Sequence, residues 1–194
     1  MWYNTIRTPH SREETAHDPQ SNPGEDIPGV ARIYDAILEQ EAAGACTTGW
    51  IAGVYPTEQT ALDALEQEEL FVLDTGGAIV AAARINQEQV PEYANAGWEF
   101  PAPEQEVLVL HTLVVAPDAA GKGYGTQFVR FYEALAAQRG CPYLRMDTNA
   151  RNTAARTLYR KLGYKEVGIV PCTFNGIPGV QLVCLEKKLQ SESQ

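Results

Sequence analysis

The chain has 194 residues, 44% hydrophobic and 21% charged, the balance of one globular domain long enough to bury a sizeable core. Its formal net charge of -10 argues against nucleic acid as a partner and mildly favours a cationic ligand by long-range steering. No apolar run reaches membrane-spanning length and the opening MWYNTIRTPHSREE lacks the apolar core of a signal peptide, so no membrane contact and a cytoplasmic location are expected.

Residues 1–25 are expected to form a polar N-terminal arm. Its stretch Thr8 to Gly24 carries three prolines and no apolar period, which reads as a long loop. The domain is expected over 26–189, with a short tail at 190–194. Asp26 is placed to cap a helix whose Val30, Ile33, Tyr34, Ile37 and Leu38 follow helical spacing. TTGWIAGVYP breaks the pattern, and Thr57 then caps a second helix, EQTALDALEQEE.

LFVLDTGGAIVAAARIN predicts two strands joined at Thr75-Gly76-Gly77. The segment Val90 to Gln105 is rich in proline and aperiodic. It predicts a long loop, whose Tyr93, Trp98 and Phe100 either plug a core edge or wall a substrate pocket. VLVLHTLVV, Val107 to Val115, is apolar on both alternating faces apart from His111 and Thr112, as in a central strand buried on both sides. By alternation His111 should share a face with Val109 and Leu113.

A helix should follow, with Phe128, Val129, Tyr132, Leu135 and Ala136 on one stripe and Gly140 as its stop. PYLRMDT predicts another strand. Asn152 caps a short helix carrying Ala155, Leu158, Tyr159 and Leu162, and KEVGIVPCTF with GVQLVCLEKKL forms a last hairpin across Asn175-Gly176-Ile177-Pro178. The order α-α-β-β-β-α-β-α-β-β predicts an α/β domain with a mixed sheet. Cys46, Cys141, Cys172 and Cys184 form no CxxC and have no neighbouring His, so inert thiols and no metal site are expected.

The stretch APDAAGKGYGTQF spaces Gly121, Gly123 and Gly125 at alternate positions, with Lys122 between the first two. It lies where a strand hands over to a helix. Free amides at a helix start carry partial positive charge and suit a phosphate if side chains do not block the approach. The spacing is neither a Walker A loop nor a dinucleotide fingerprint. A plain turn for tight strand–helix packing would also use such glycines.

The second stretch, NTAARTLYRKLGY, puts Tyr159 seven residues beyond Asn152 on one helix face. Together, VVAPDAAGKGYGTQF and NTAARTLYRKLGY resemble the GNAT superfamily of N-acetyltransferases. The resemblance covers Ile27 to Leu189 in element order and is sharp over Leu110 to Tyr164. It implies a mixed, mostly antiparallel sheet with a splayed central parallel strand pair and about four helices.

It also implies acetyl-CoA as cosubstrate. Gly121, Lys122, Gly123, Tyr124, Gly125 and Thr126 would hold its pyrophosphate, Leu113, Val114 and Val115 its pantetheine and acetyl oxygen, and Asn152, Ala155 and Lys161 further parts of CoA. Tyr159 would protonate the departing thiolate. Three departures stand out. Ala120 replaces the usual Arg or Gln, and Val109 the Glu often found on the central strand. Ile6-Arg7, where such a domain places its first strand, is cut off from Asp26 by the arm, which leaves a displaced or missing edge strand open.

Arg151, Arg156, Arg160 and Lys161 form a basic cluster that is either a solvated helix face or a site for CoA phosphates. His111 is either a satisfied core histidine or a base or substrate ligand. Glu106 and Glu99 are weaker base candidates. The expected activity is direct acetyl transfer to a small primary amine or amino-acid-like acceptor in a ternary complex. A peptide or protein amine, and a non-catalytic acyl-CoA sensor, are the alternatives. The arm and the last hairpin could pair two copies as a homodimer.

Overall fold

The structure, a computed structural model, describes residues 5–7 and 26–190. The expected arm from Thr8 to Gly24 and the end of the tail lie outside the described residues. Among the described residues, β1 (Thr5–Arg7), β2 (Leu70–Asp74), β3 (Ile79–Asn86), β4 (Val107–Val115), β5 (Tyr143–Asn149), β6 (Lys165–Phe174) and β7 (Ile177–Lys188) form one seven-stranded sheet in the order β1-β2-β3-β4-β5-β7-β6. The helices are α1 (Ile27–Ala42), α2 (Glu58–Glu66), α3 (Tyr124–Gln138) and α4 (Thr153–Lys161). Every neighbouring pair is antiparallel except β4 with β5.

Alternation divides the core into two faces. Leu70, Val72 and Ala82 point to α1 and α2, where Val30, Ile33, Tyr34, Ile37, Ala61 and Ala64 cover them. Phe71, Leu73, Ala81, Leu108, Leu110, Leu144 and Met146 point to α3 and α4, under Phe128, Val129, Tyr132, Tyr159 and Leu162. Val107, Val109, Val180, Leu182 and Cys184 form a third cluster, roofed by Tyr93.

The edge strand left open by the sequence is present. Ile6 pairs opposite Leu73 of β2. Arg7 explains its hold: Nη1 donates to Oδ2 of Asp26 at 2.7 Å, Nη2 to Oδ1 at 3.1 Å, and Nη2 also to Asp74 at 3.3 Å. The same pairing corrects the expected role of Asp26. Its carboxylate accepts from Arg7 instead of from an α1 amide, and its backbone is already near-helical at φ -79°, ψ -24°. α1 opens with Pro28 in the first turn, where no N–H is needed.

Thr57 fares as expected, since its amide donates to Thr60 Oγ1 at 3.0 Å in a capping box. The loop after β3 contains two single 3-10 turns, Pro91–Asn95 and Glu104–Glu106. The last hairpin is tighter than read from sequence. β7 already begins at Ile177, and Asn175 (φ 49°) with Gly176 (φ 76°) makes a two-residue turn.

β4 and β5 stay together over four residue pairs, from Val107 with Tyr143 to Leu110 with Met146. From α3, the Tyr132 hydroxyl donates to the carbonyls of Leu108 at 2.6 Å and Arg145 at 3.1 Å. One hydroxyl thus clasps both strands.

Candidate active site

Beyond Leu110 and Met146 the two central strands part. His111 to Val115 pair only with β3, while Asp147, Thr148 and Asn149 pair only with β7. The backbone edges that face each other across this fork therefore have no strand partner among the described residues, so a ligand could take up those hydrogen bonds. A cavity of about 560 Å³ runs through it.

A bulge shapes the β4 side. Ala82 pairs with Val114 but Arg84 pairs with His111, so Thr112 and Leu113 together face Ala83. Thr112 takes φ +52°, a conformation that is strained for a β-branched residue. Its Oγ1 is hydrogen-bonded to the hydroxyl of Tyr55. The extra residue reverses the alternation. Val114 packs toward α1, whereas Leu113 packs with the α3-side cluster and Val115 touches both. The expectation that Leu113 shares the face of Val109 is corrected accordingly.

The carboxylate at the fork comes from β5. Asp147 lines the cavity, is half-buried, and accepts from the Tyr93 hydroxyl on Oδ2 at 2.8 Å. Burial pushes its pKa up to about 7; the Tyr93 hydrogen bond pulls it down and the negative charge of Glu92 pushes it up. Its charge acts in turn on Tyr55, whose pKa is pushed up to about 12, first by burial. Val109, at the position where the resembled motif often has Glu, is buried in the third cluster.

Tyr159 projects from α4 into the cavity wall. Its ring packs at 6.2 Å from that of Tyr164, and its hydroxyl makes no hydrogen bond to a described residue. Burial, then the charge of Asp147, raises its pKa, so it holds its proton at neutral pH. His111 also lines the cavity, with Nε2 2.9 Å from Asn86 Oδ1. Burial, then the Arg84 charge, pushes its pKa down to about 4. The imidazole is therefore neutral at pH 7.

The glycine turn supplies a second feature. Gly121 and Gly123 adopt φ +77° and +84°, and a Cβ built on either meets nothing within 4 Å. Conformation, not crowding, demands glycine there. Gly125 differs: its Cβ would stand 3.1 Å from Leu158 Cδ2, so it lets α3 and α4 approach. The amides of Gly121 through Thr126 have no acceptor among the described residues, and the first to close the helix is that of Gln127, bonded to Gly123 O at 3.0 Å. Lys122 is exposed beside them. Asn152 caps α4 by accepting from the Ala155 amide at 3.1 Å, and both residues line the cavity with Leu113, Val114 and Val115.

Several expected site residues are elsewhere. Trp98 and Phe100 do not line the cavity. Both contact the buried Arg145, whose guanidinium lies 4.2 Å from the Trp98 ring centroid and donates to the Phe100 backbone carbonyl at 2.9 Å. The Trp98 indole donates to Tyr93 O at 2.8 Å. Tyr93 is buried and reaches the site only through its hydroxyl. Glu99 pairs with Lys165 at 2.6 Å. Of the basic cluster, Arg156 is held by both oxygens of Glu166 at 2.8 Å, and Arg151 lies 3.5 Å from Glu41. Lys161 is exposed at the far end of α4.

Sequence reasoning missed Asp147, Tyr55 and Trp50, which the fork and the segment between α1 and α2 bring to the cavity. Asp147 had one signal, a lone acid after the alternating apolar Leu144 and Met146.

A mixed sheet opened at its one parallel pair, with a free-amide turn at the adjoining helix, defines an acyltransferase fold. Residues 32–164 match the Acetyltransferase (GNAT) family; the chain belongs to that family. Among solved structures, a GNAT-family acetyltransferase from Streptococcus agalactiae superposes with TM-score 0.73 at 20% identity, over 98% of this chain and 100% of that one. An N-acetyltransferase from Staphylococcus aureus gives 0.67 at 20%, over 97% and 99%. The yncA protein from Salmonella typhimurium, solved with its cofactor acetyl-CoA, gives 0.64 at 15%, over 99% and 97%. At these identities the likeness is one of fold. No curated protein sequence matches the chain significantly.

Proposed function

We propose that this acetyltransferase moves an acetyl group from acetyl-CoA to the primary amine of a small molecule, directly and without a covalent acetyl-enzyme. The observation that carries the reading is Asp147: a carboxyl held by Tyr93 where the parallel strands part, with Tyr159 on the same cavity wall. A module that only bound acyl-CoA would need no such carboxyl.

The residues present fit acetyl-CoA on two counts. The turn from Gly121 to Thr126 offers unpaired amides and Lys122 to phosphate oxygens. The fork offers unpartnered backbone at Leu113 to Val115, flanked by Asn152 and Ala155. When bound, acetyl-CoA supplies an acetyl thioester whose thiol is a fair leaving group.

Asp147 takes the proton that the amine nitrogen loses as the C–N bond forms. Tyr159 gives its phenol proton to the sulfur as the C–S bond breaks. Solvent then resets both groups. A carboxyl near pKa 7 is matched to this task at neutral pH. His111, neutral and fixed on Asn86, orients and does not relay.

The test is thiol release from acetyl-CoA with the full chain, across small primary amines and short peptides with free N-termini. Turnover of small amines that falls at least a hundredfold in Asp147→Asn is expected. Turnover confined to peptides would replace the acceptor assignment, and acetyl-CoA binding without turnover of any amine would leave a binding module.

A further inference from the structure

The cavity wall is uneven in charge. Among the described residues its charged lining is Asp63, Arg84, Glu88 and Asp147. The one cation is already engaged. Arg84 Nε donates to Glu69 at 2.6 Å, and its Nη2 donates to Glu88 and to Gln67, each at 2.8 Å. Two carboxylates thus face one guanidinium, and Asp147 and Asp63 have no cation beside them on that lining.

The remaining wall on the α1 side is mainly aromatic and aliphatic, with the side chains of Thr48 and Thr60 among them. Trp50 and Tyr55 meet edge to face at 6.0 Å between centroids, and Val90, Phe174 and Ile177 line the same cavity. Trp50 is held in place by its segment: Thr47 Oγ1 donates to Arg151 O at 2.7 Å, and Gly49 (φ +77°) leaves room for Asn149, whose Nδ2 would lie 2.4 Å from a Cβ. The segment is thus pinned to the end of β5.

Taking the acetyl-transfer reading as its base, we infer that the acceptor is a primary amine on an apolar or aromatic body that carries no carboxylate or other anionic group. The amine is drawn to Asp147 as its ammonium and gives one proton to solvent before it attacks, while the body lies against Trp50 and Phe174. A carboxylate on the same molecule would leave water for a wall where the only guanidinium is already occupied, and a buried anion without a partner is strongly disfavoured. The site selects as much by repulsion as by attraction.

The experiment compares three probes that differ only in the group beside the amine: 2-phenylethylamine, phenylalaninamide and phenylalanine. The full chain is assayed with saturating acetyl-CoA. The kcat/KM for the first two is expected to exceed that for phenylalanine by at least about thirtyfold. The amide controls for bulk, because it is nearly isosteric with the acid. Glu88→Gln frees one side of Arg84 and is expected to narrow the gap between amide and acid at least fivefold.

Phenylalanine used as well as its amide would overturn the inference while leaving acetyl transfer intact. So would a gap unmoved by Glu88→Gln, which would make size and not charge the cause. No turnover of any probe or of any other amine would remove the acetyl-transfer reading together with this one.

Discussion

The Tyr93 hydroxyl donates to Oδ2 of Asp147 across 2.8 Å, joining the loop after β3 to the mouth of the fork. One carboxylate oxygen is thereby fixed, and the group keeps a single orientation at the cavity wall. The bond also opposes the effect of burial on the proton affinity of Asp147.

Asp147 should make the fold less stable as pH rises. Its folded pKa, about 7, lies above that of an unfolded carboxyl. The folded state therefore binds the proton more tightly, a stabilisation fully present below about pH 4 and lost as pH rises through about 7. The loss is about 1–2 kcal/mol, because the carboxyl meets solvent in the cavity. Asp147→Asn should melt with wild type at pH 4 and several degrees above it at pH 8.5. Equal melting temperatures at pH 8.5 would show that the carboxyl is not shifted.

Tyr159→Phe removes only an oxygen that has no hydrogen-bond partner among the described residues. The ring keeps its place beside Tyr164. We expect kcat to fall about tenfold or more, with melting temperature within about 2 °C of wild type and CoA affinity little changed. Unaltered turnover would dismiss Tyr159 as the proton donor.

The glycines should separate by mechanism. Gly123→Val forces a branched side chain into φ +84°, at a cost of about 1–2 kcal/mol, and puts that side chain beside the free amides. Calorimetry should show CoA affinity reduced at least tenfold. Gly125→Ala instead presses Leu158 from 3.1 Å. It should lower the melting temperature and reduce CoA affinity less than Gly123→Val does. Full CoA affinity in a folded Gly123→Val variant would rule out the turn as a phosphate site.

Trp98→Ala should act on stability before substrate. The indole covers Arg145 and anchors Tyr93, so its loss should cost about 3 kcal/mol in urea unfolding. Turnover should fall through a looser Tyr93–Asp147 bond, with acceptor KM the lesser change. A change confined to acceptor KM would restore Trp98 to the substrate wall.

Much of this architecture was legible because it is local. Helical spacing named Val30, Ile33, Tyr34, Ile37 and Leu38, all buried on α1, and the Asn152 cap is made by neighbouring residues. What escaped is long-range. Asp147 meets Tyr93 across 54 positions of sequence, and Tyr55 meets Thr112 across 57. The bulge at Thr112 left no mark in a run of apolar residues, so alternation put Leu113 on the wrong face. For Trp98 the sequence leaves a core plug and a pocket wall both open, and only the long-range contact with the buried Arg145 decides between them. Asp26 offers a cap by position and is claimed by Arg7, on a strand 19 positions earlier in the sequence.

The Tyr132 clasp has a mechanical consequence. α3 begins at the glycine turn, and eight residues later the same helix grips both β4 and β5 just below their parting. A helix advances about 1.5 Å per residue and its hydrogen-bonded backbone resists stretching, so the turn and the residue that clasps the strands stay about 12 Å apart along the helix axis. α3 is therefore a rigid spacer: the glycine turn at its start and the strand pair gripped by Tyr132 cannot shift independently along its axis.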